Sequence, residues 1–335
     1  MIAFIARRAV LALLTTFVAF AAAFVAIRAL PNNPVLARFG QHAVPEQVVA
    51  KMDELGWDRP VWRQFIDFLV DVAATGDLGE SFFYPERVVD GLARTFPATV
   101  ELTLAALLIA VPLGIVAGVA AAVWHNRWPD YLCMAGALVG VSVPVFFLGI
   151  LLMVAFQNMP TGGRLPLAMS YDRSTEFIVL ESLLRGRWDV AAAALRHLCL
   201  PALALSSIPT AVVARVARSS MLDVLGADYV RTARAKGSAP QRVVFRHALP
   251  NASIPIANIA GLQLGQLLSG AVLTESVFNW PGMGTYLVAA VQRSDYNVVQ
   301  GGVLLVAIVF VTLNLALDVL YVLLDPRLRH APGAQ

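Results

Sequence analysis

Six long apolar runs, separated by polar stretches of very unequal length, set the first reading of this chain. They cover about 9–30, 98–123, 131–156, 198–217, 254–278 and 301–324, each near the ~20 residues that a helix needs to cross a hydrocarbon core. Six spanning helices are therefore predicted. The polar stretches differ in kind. Residues 31–96, punctuated by Pro31, Pro34, Pro45, Pro60 and Pro85, are too long for a turn and predict a small region outside the membrane. Residues 125–130 leave room only for a tight hairpin, whereas 157–197, 218–253 and 279–300 are longer connections. The expected organisation is a first helix with an external region over 1–96, a five-helix core over 97–325 with a protruding loop at 219–253, and a tail over 326–335. The fold class is all-α and polytopic.

Composition agrees, and it removes other classes. With 335 residues, 58% of them hydrophobic and 14% charged, and a mean hydropathy of +0.70, the chain is not composed like a soluble globular protein. A net charge of +3 could suit nucleic acid, but the Lys and Arg residues gather beside the apolar runs, as membrane topology requires, so no nucleic-acid partner is expected. Six spans put both ends on one side. That side holds twelve basic residues, Arg7, Arg8 and Arg127 among them, against four acids, which places both termini and the 219–253 loop in the cytoplasm. The first run is too long for the apolar core of a signal peptide.

Catalytic and cofactor motifs are missing from the sequence. Cys133 and Cys199 both fall inside apolar runs, the five histidines are scattered, and neither HExxH nor CxxC occurs, so no disulfide framework or metal site is expected. The only lysines, Lys51 and Lys236, are followed by Met52 and Gly237, which excludes a GxxxxGK[ST] phosphate loop. No catalytic residue and no cofactor is expected in this chain.

One stretch stands apart: GADYVRTARAKGSAPQRVVFRHALP, residues 226–250. It carries Arg231, Arg234, Lys236, Arg242 and Arg246 against the single acid Asp228, and so faces a partner or water rather than lipid. A helical run over 229–236 is broken at Gly237 and Pro240, resumes through His247, and is expected to stop at Pro250. From charge alone, such a loop reads equally as a basic segment that only fixes topology. The order Arg231-Thr232-Ala233, Gly237, Leu249-Pro250 resembles the coupling motif of ABC importer permeases, with RTA in place of the usual EAA, as in the dipeptide/oligopeptide/nickel branch. The resemblance assigns ATPase coupling to Arg231, Thr232, Ala233, Gly237, Arg242, Arg246, Leu249 and Pro250.

Further tracts extend the resemblance over nearly the whole chain. Residues 55–60 (LGWDRP) with Gln64-Phe65, 76–82 (GDLGESF), 96–99 (FPAT) with Glu101-Leu102, 275–284 (ESVFNWPGMG), Asp295-Tyr296, 299–301 (VQG) and 324–327 (LDPR) are similar to that family's first-permease subunit. The resemblance implies a MetI-like core and pairing with a sister permease. It further implies two cytoplasmic ABC ATPases that hold the ATP and Mg, and an extracytoplasmic substrate-binding protein. The setting would be a bacterial inner membrane and the cargo a peptide or related small solute, moved by alternating access.

Polar residues inside the spans complete the reading, because hydrocarbon makes them expensive. Asn258, Gln266 and Ser269 of the fifth run and Ser142 of the third are candidates for a translocation path, and Gln263 lies among them. At helical spacing these positions spread too widely for one narrow stripe. Asp318 and Arg215, at similar depth in the sixth and fourth runs, are expected to form a structural ion pair. Two alternatives stay open: a secondary transporter using Asp318 as proton carrier, and an intramembrane enzyme. The pairs Gly114/Gly118, Gly136/Gly140 and Gly261/Gly265 suggest close helix contacts, and Pro112, Pro144, Pro201, Pro209 and Pro255 suggest kinks.

Overall fold

The computed structural model describes residues 2–29, 44–54, 56–172 and 174–324; the tail 326–335 and residues 31–43 of the external region lie outside the described residues. The described elements are all helical apart from one isolated bridge, Glu80 to Arg87. In chain order they are α1 (Ile2–Arg28), α2 (Pro45–Glu54), α3 (Val61–Thr75), α4 (Val88–Val123), α5 (Trp128–Ser142), α6 (Val145–Ala155), α7 (Ile178–Leu184), α8 (Trp188–Leu225), α9 (Asp228–Ala235), α10 (Pro240–Arg242), α11 (Leu249–Gly270), α12 (Val272–Val277), α13 (Met283–Gln292) and α14 (Tyr296–Leu324). Among them Val10–Arg28, Val88–Val123, Trp188–Leu225 and Tyr296–Leu317 are each long and apolar enough to cross a membrane. The pair α5 and α6 makes a fifth such span if the two are counted as one. The sixth expected run is α11, 22 residues long, which is not among the helices apolar enough to be counted as a span.

The third run differs from its expectation as one straight span. α5 and α6 are bent by 105° across Val143-Pro144. Pro144 lacks the N–H that would continue the helix, and its ring pushes the preceding residue out of the helical region, where Val143 sits at φ −81°, ψ 122°. The fourth run also differs, since its helix extends from Trp188 to Leu225, and the connection 279–300 contains α13.

The chain divides into two compact units. The first joins Met1–Ala98 to Pro281–Leu315. Its core holds Val88, Leu92, Met283, Tyr286, Ala290 and Val298. The buried Asp295 carboxylate accepts from the Ser81 hydroxyl at 2.5 Å and the Phe82 amide at 3.1 Å. Gly301 lies so close to Val88 that a Cβ there would stand 2.7 Å from its side chain. Tracts 76–82 and 295–301, far apart in sequence, are therefore one structural joint.

The second unit, Thr99–Trp280 with Ala316–Gln335, is built on α8. Gly114 and Gly118 let α4 approach it at backbone distance: Cβ atoms there would stand 2.7 Å from Val213 and 2.5 Å from the Ala214 carbonyl. Of the second glycine pair, Gly136 faces open space and Gly140 only approaches Ser207. The connection before α8 is pinned by buried charge. Glu101 accepts from Arg164 at 2.6 Å and from the Val179 amide at 2.8 Å, and Glu181 accepts from Ser174 and Thr175 through both their amides and their hydroxyls.

The Thr175 hydroxyl and the Ser174 amide, against the opposing effect of burial, pull the Glu181 carboxyl from its ordinary 4.5 down to about 2. Because the folded value is depressed, the carboxylate's support is fully present above pH 4.5 and is lost as pH falls from there toward about 2. Hydrogen exchange over 174–187 should accordingly stay slow at neutral pH and rise only below pH 4.5, whereas Glu181→Gln should exchange fast at both. Equal protection of the two proteins at pH 7 would mean that this carboxylate does not hold the segment.

Candidate functional site: the loop between α8 and α11

After α8 ends, the chain turns at Gly226 and forms α9. Val230, with no exposed surface, holds this short helix down, while Arg231, Thr232, Arg234 and Lys236 project outward and Ala233 is half-buried. The helix then closes in a defined way. The Gly237 amide donates to the Arg234 carbonyl at 2.9 Å and the Ser238 amide to the Ala233 carbonyl at 3.2 Å, the paired bonds of a Schellman ending. Gly237 sits at φ +80°. That left-handed backbone is open to glycine without steric strain and disfavoured for any residue with a Cβ.

The second run differs from its expectation. Pro250 does not stop a helix; it occupies the first turn of α11. α10 passes into a wide π-helical turn over Val243–Ala248, and α11 begins at Leu249. Proline suits this place because first-turn amides have no partner within their helix. The joint is packed from below. Ala248, Ala252 and Ile256 are buried with Val213, Ala217 and Met221 of α8 and Val119 of α4, and Leu249 packs against that cluster. Asn251 donates to the Tyr229 hydroxyl at 3.0 Å and so ties α9 to α11. Arg242 and Arg246 remain exposed on the outer side. The loop is therefore a basic surface on a firm base. The Arg231–Asp228 contact, 3.4 Å and solvent-exposed, adds little to it.

Just before the loop lies a clamp that sequence reasoning missed. Asp130, buried at the start of α5, accepts from Arg218 of α8 at Nε (2.7 Å) and Nη2 (2.8 Å), with the Asn126 amide at 3.0 Å and His125 at 3.2 Å. A two-pronged guanidinium–carboxylate contact of this kind is strong and fixes orientation. The expected Arg215–Asp318 pair involves a side chain, that of Asp318, outside the described residues, and the acid contact that α8 shows is made by Arg218. Arg215 is exposed, three residues from the arginine that is used. Both Asp130 and Arg218 are charged residues beside apolar runs; depth in a span shows in sequence, but the helix face does not.

Helix α11 sorts the path candidates. Exposed positions recur every four residues at Ile254, Asn258, Leu262, Gln266 and Gly270, so Asn258 and Gln266 share one stripe after all. Gln263 lies off that stripe, buried, and donates to the Gln266 side chain at 2.9 Å. The Ser269 side chain lies outside the described residues. Ser142 is exposed, but its hydroxyl donates to the Leu138 carbonyl of its own helix at 2.8 Å, beside the Pro144 bend. The structure thus keeps Asn258 and Gln266 together and leaves Ser142 on a different helix.

Comparison with known proteins follows this geometry closely. Residues 110–330 match the model of the binding-protein-dependent transport system inner membrane component, and residues 1–103 match that of the corresponding N-terminal part. The chain belongs to this family. Over 335 residues it is 45% identical to the di/tripeptide transport system permease protein DppB of Pseudomonas aeruginosa, covering 98% of this chain and 99% of the relative. It is 40% identical to the dipeptide transport system permease protein DppB of Escherichia coli K12, with the same shares covered. It is also 38% identical to the glutathione transport system permease protein GsiC of Escherichia coli O6:H1, covering 94% and 95%. The chain is thus a membrane-embedded ABC importer permease subunit rather than an enzyme, and this membership displaces both the intramembrane enzyme and the proton-driven carrier.

The clamp makes a measurable demand on this permease. Removing one partner of a largely buried ion pair leaves the other uncompensated and costs about 3 kcal/mol. Asp130→Ala should therefore lower the yield of folded protein in detergent and shift its thermal unfolding downward, and Arg218→Leu added to Asp130→Ala should recover part of the loss. Full stability of Asp130→Ala would show that the contact holds nothing.

Proposed function

We propose that this chain is one of two membrane subunits of an ATP-driven importer for short peptides, working by alternating access, with both termini and the α8–α11 loop in the cytoplasm. Its partners in this reading are a sister permease, two cytoplasmic ABC ATPases that bind ATP and Mg, and an extracytoplasmic binding protein that delivers cargo. The observation that carries the reading is the loop: a basic, exposed helix closed at Gly237 and tied through Tyr229 to Asn251 of α11, whose Ala252 and Ile256 are buried against α8. Force applied to α9 reaches α8 and α11 through side chains in contact. A flexible topology loop would have no such base.

Short peptides are favoured as cargo because relatives matching nearly end to end are named for dipeptides, di/tripeptides and glutathione. Asn258 and Gln266 suit such cargo. Their uncharged amides offer both donors and acceptors to a peptide backbone and make no demand on its side chains. Selection would then rest with the binding protein. The measurement that narrows cargo most is the ATPase rate of the assembled, reconstituted complex with its binding protein, stepped through a dipeptide, a longer peptide and glutathione.

Two tests address the residues. Gly237→Val forces a β-branched residue into left-handed backbone and should abolish peptide uptake while the complex still assembles and hydrolyses ATP; normal uptake would remove Gly237 from the coupling device. Charge reversal at Arg231 and Arg234 should reduce co-purification of the ATPases, and unchanged recovery would leave the loop as a topology signal. For the path, Gln266→Cys should react with a water-soluble thiol reagent at a rate that changes when ATP and liganded binding protein are added. A cysteine inert in every state, alongside normal uptake, would place the path elsewhere.

A further inference from the structure

The external region contains a helix that does not behave as an external one. α3 packs its Phe65 and Phe68 among Phe17, Phe20 and Phe24 of α1, with ring centroids 5.0–6.2 Å apart. Those α1 rings are not at the end of the span. Phe24 and Phe20 lie four and eight residues before Arg28, roughly 6 and 12 Å into a helix that rises 1.5 Å per residue. Rings that touch them lie at the same depth.

Gln64 fixes this placement. Its carbonyl accepts from Arg28 Nε at 2.7 Å, and its amide donates to the Trp57 and Arg59 carbonyls at 3.1 and 2.8 Å. The remaining faces of α3 are then sorted. Asp67 and Asp71 line a polar cavity of about 490 Å³ with Arg28, Arg59 and Asp77, where Arg59 meets Asp67 at 3.2 Å. Trp62 and Ile66, one turn apart, are 63% and 49% exposed, with Val70 at the border of the acidic side. Trp62 also lines an apolar groove of about 450 Å³ together with Val25 and Ala21 of α1, so its surface is continuous with the face that α1 shows to lipid.

We infer that α3 is an amphipathic helix embedded in the membrane leaflet at the Arg28 end of α1. Its Trp62–Ile66 stripe and the groove beside Val25 take phospholipid acyl chains, and its Asp67–Asp71 side faces water. A helix with one apolar stripe, one charged side and modest length lies in the interface plane in this way. Indole at the rim suits the headgroup boundary. The inference rests on α1 spanning the membrane, and the test separates the two.

Single cysteines replacing Trp62, Ile66, Asp71 and, on α1, Val18, in the full chain with Cys133→Ser and Cys199→Ser, are spin-labelled. The protein is reconstituted in phosphatidylcholine–phosphatidylglycerol vesicles, and relaxation by oxygen is compared with relaxation by a water-soluble nickel chelate. The expected result is an oxygen-to-chelate ratio at Trp62 and Ile66 several-fold above that at Asp71 and close to that at Val18. A high ratio at Val18 with low ratios at Trp62 and Ile66 would put α3 in water and overturn the proposal while leaving the span intact. A low ratio at Val18 would overturn the spanning of α1 itself. Labels at Trp62 and Ile66 shielded from both reagents would show protein covering the stripe, and would also overturn lipid as its occupant.

Discussion

Hydrocarbon offers a polar atom no hydrogen bond, and most of this structure can be derived from that constraint. Among the described residues, several polar side chains that the spans carry inward are met by another part of the same unit. Asp130 meets Arg218, Glu101 meets Arg164, the wholly buried Glu275 accepts from Thr99, and Gln263 donates to Gln266. Hydroxyls without such a neighbour turn back on their own helix, as Ser142 does to Leu138 and Thr210 to Ser206. Where no polar contact is made, helices rely on approach: Gly114 and Gly118 bring α4 within backbone distance of α8, because between helices in lipid only packing is left to gain. Against this background, amides that stand exposed on an otherwise apolar helix are informative. Asn258 and Gln266 on one stripe of α11 are therefore sought as part of a wet or protein-lined path rather than a lipid face.

How much of this was legible in the sequence follows from the same physics. Apolar length alone located the membrane helices, since nothing but a spanning segment needs ~20 such residues. It could not give their ends: α4 and α8 begin some ten residues before their apolar runs, at Val88 and Trp188, because a helix outside hydrocarbon is free to be polar. Pro144 announced a break but not its 105°. Pro250 was misread because the same ring ends a helix from inside and opens one at its first turn, and only the π-helical turn before Leu249 separates the two cases. Gly237 was readable, as the one residue suited to end α9 in left-handed backbone. The clamp was not. Asp130 and Arg218 stand 88 residues apart, and that they meet depends on the direction in which α5 packs on α8. The amphipathic α3 escaped notice for a related reason: its acids and the preceding Pro60 mark a polar region, whereas Phe65 and Phe68 acquire meaning only when set against Phe20 and Phe24.

The loop, its base and the clamp can be ordered as a mechanical argument. A partner that moves α9 acts on a helix held by Val230 and Asn251, and the displacement passes through Ala248 and Ala252 into Met221 and Val213 of α8. The contacts of Ala248 and Ala252 with α8 are between apolar side chains, which slide at little cost while they stay buried but resist separation, since every exposed CH₂ costs about 0.8 kcal/mol. Arg218 lies within the same stretch of α8, between Ala217 and Met221, and its two bonds to Asp130 carry the movement sideways into α5 rather than letting α8 turn alone. α5 in turn ends at the Pro144 bend, where a broken helix can change angle without breaking further backbone hydrogen bonds. Stiffness near the α8–α11 loop and compliance at a proline bend are the pairing that a two-state device needs: the first delivers the bias, and the second supplies the element whose arrangement it shifts.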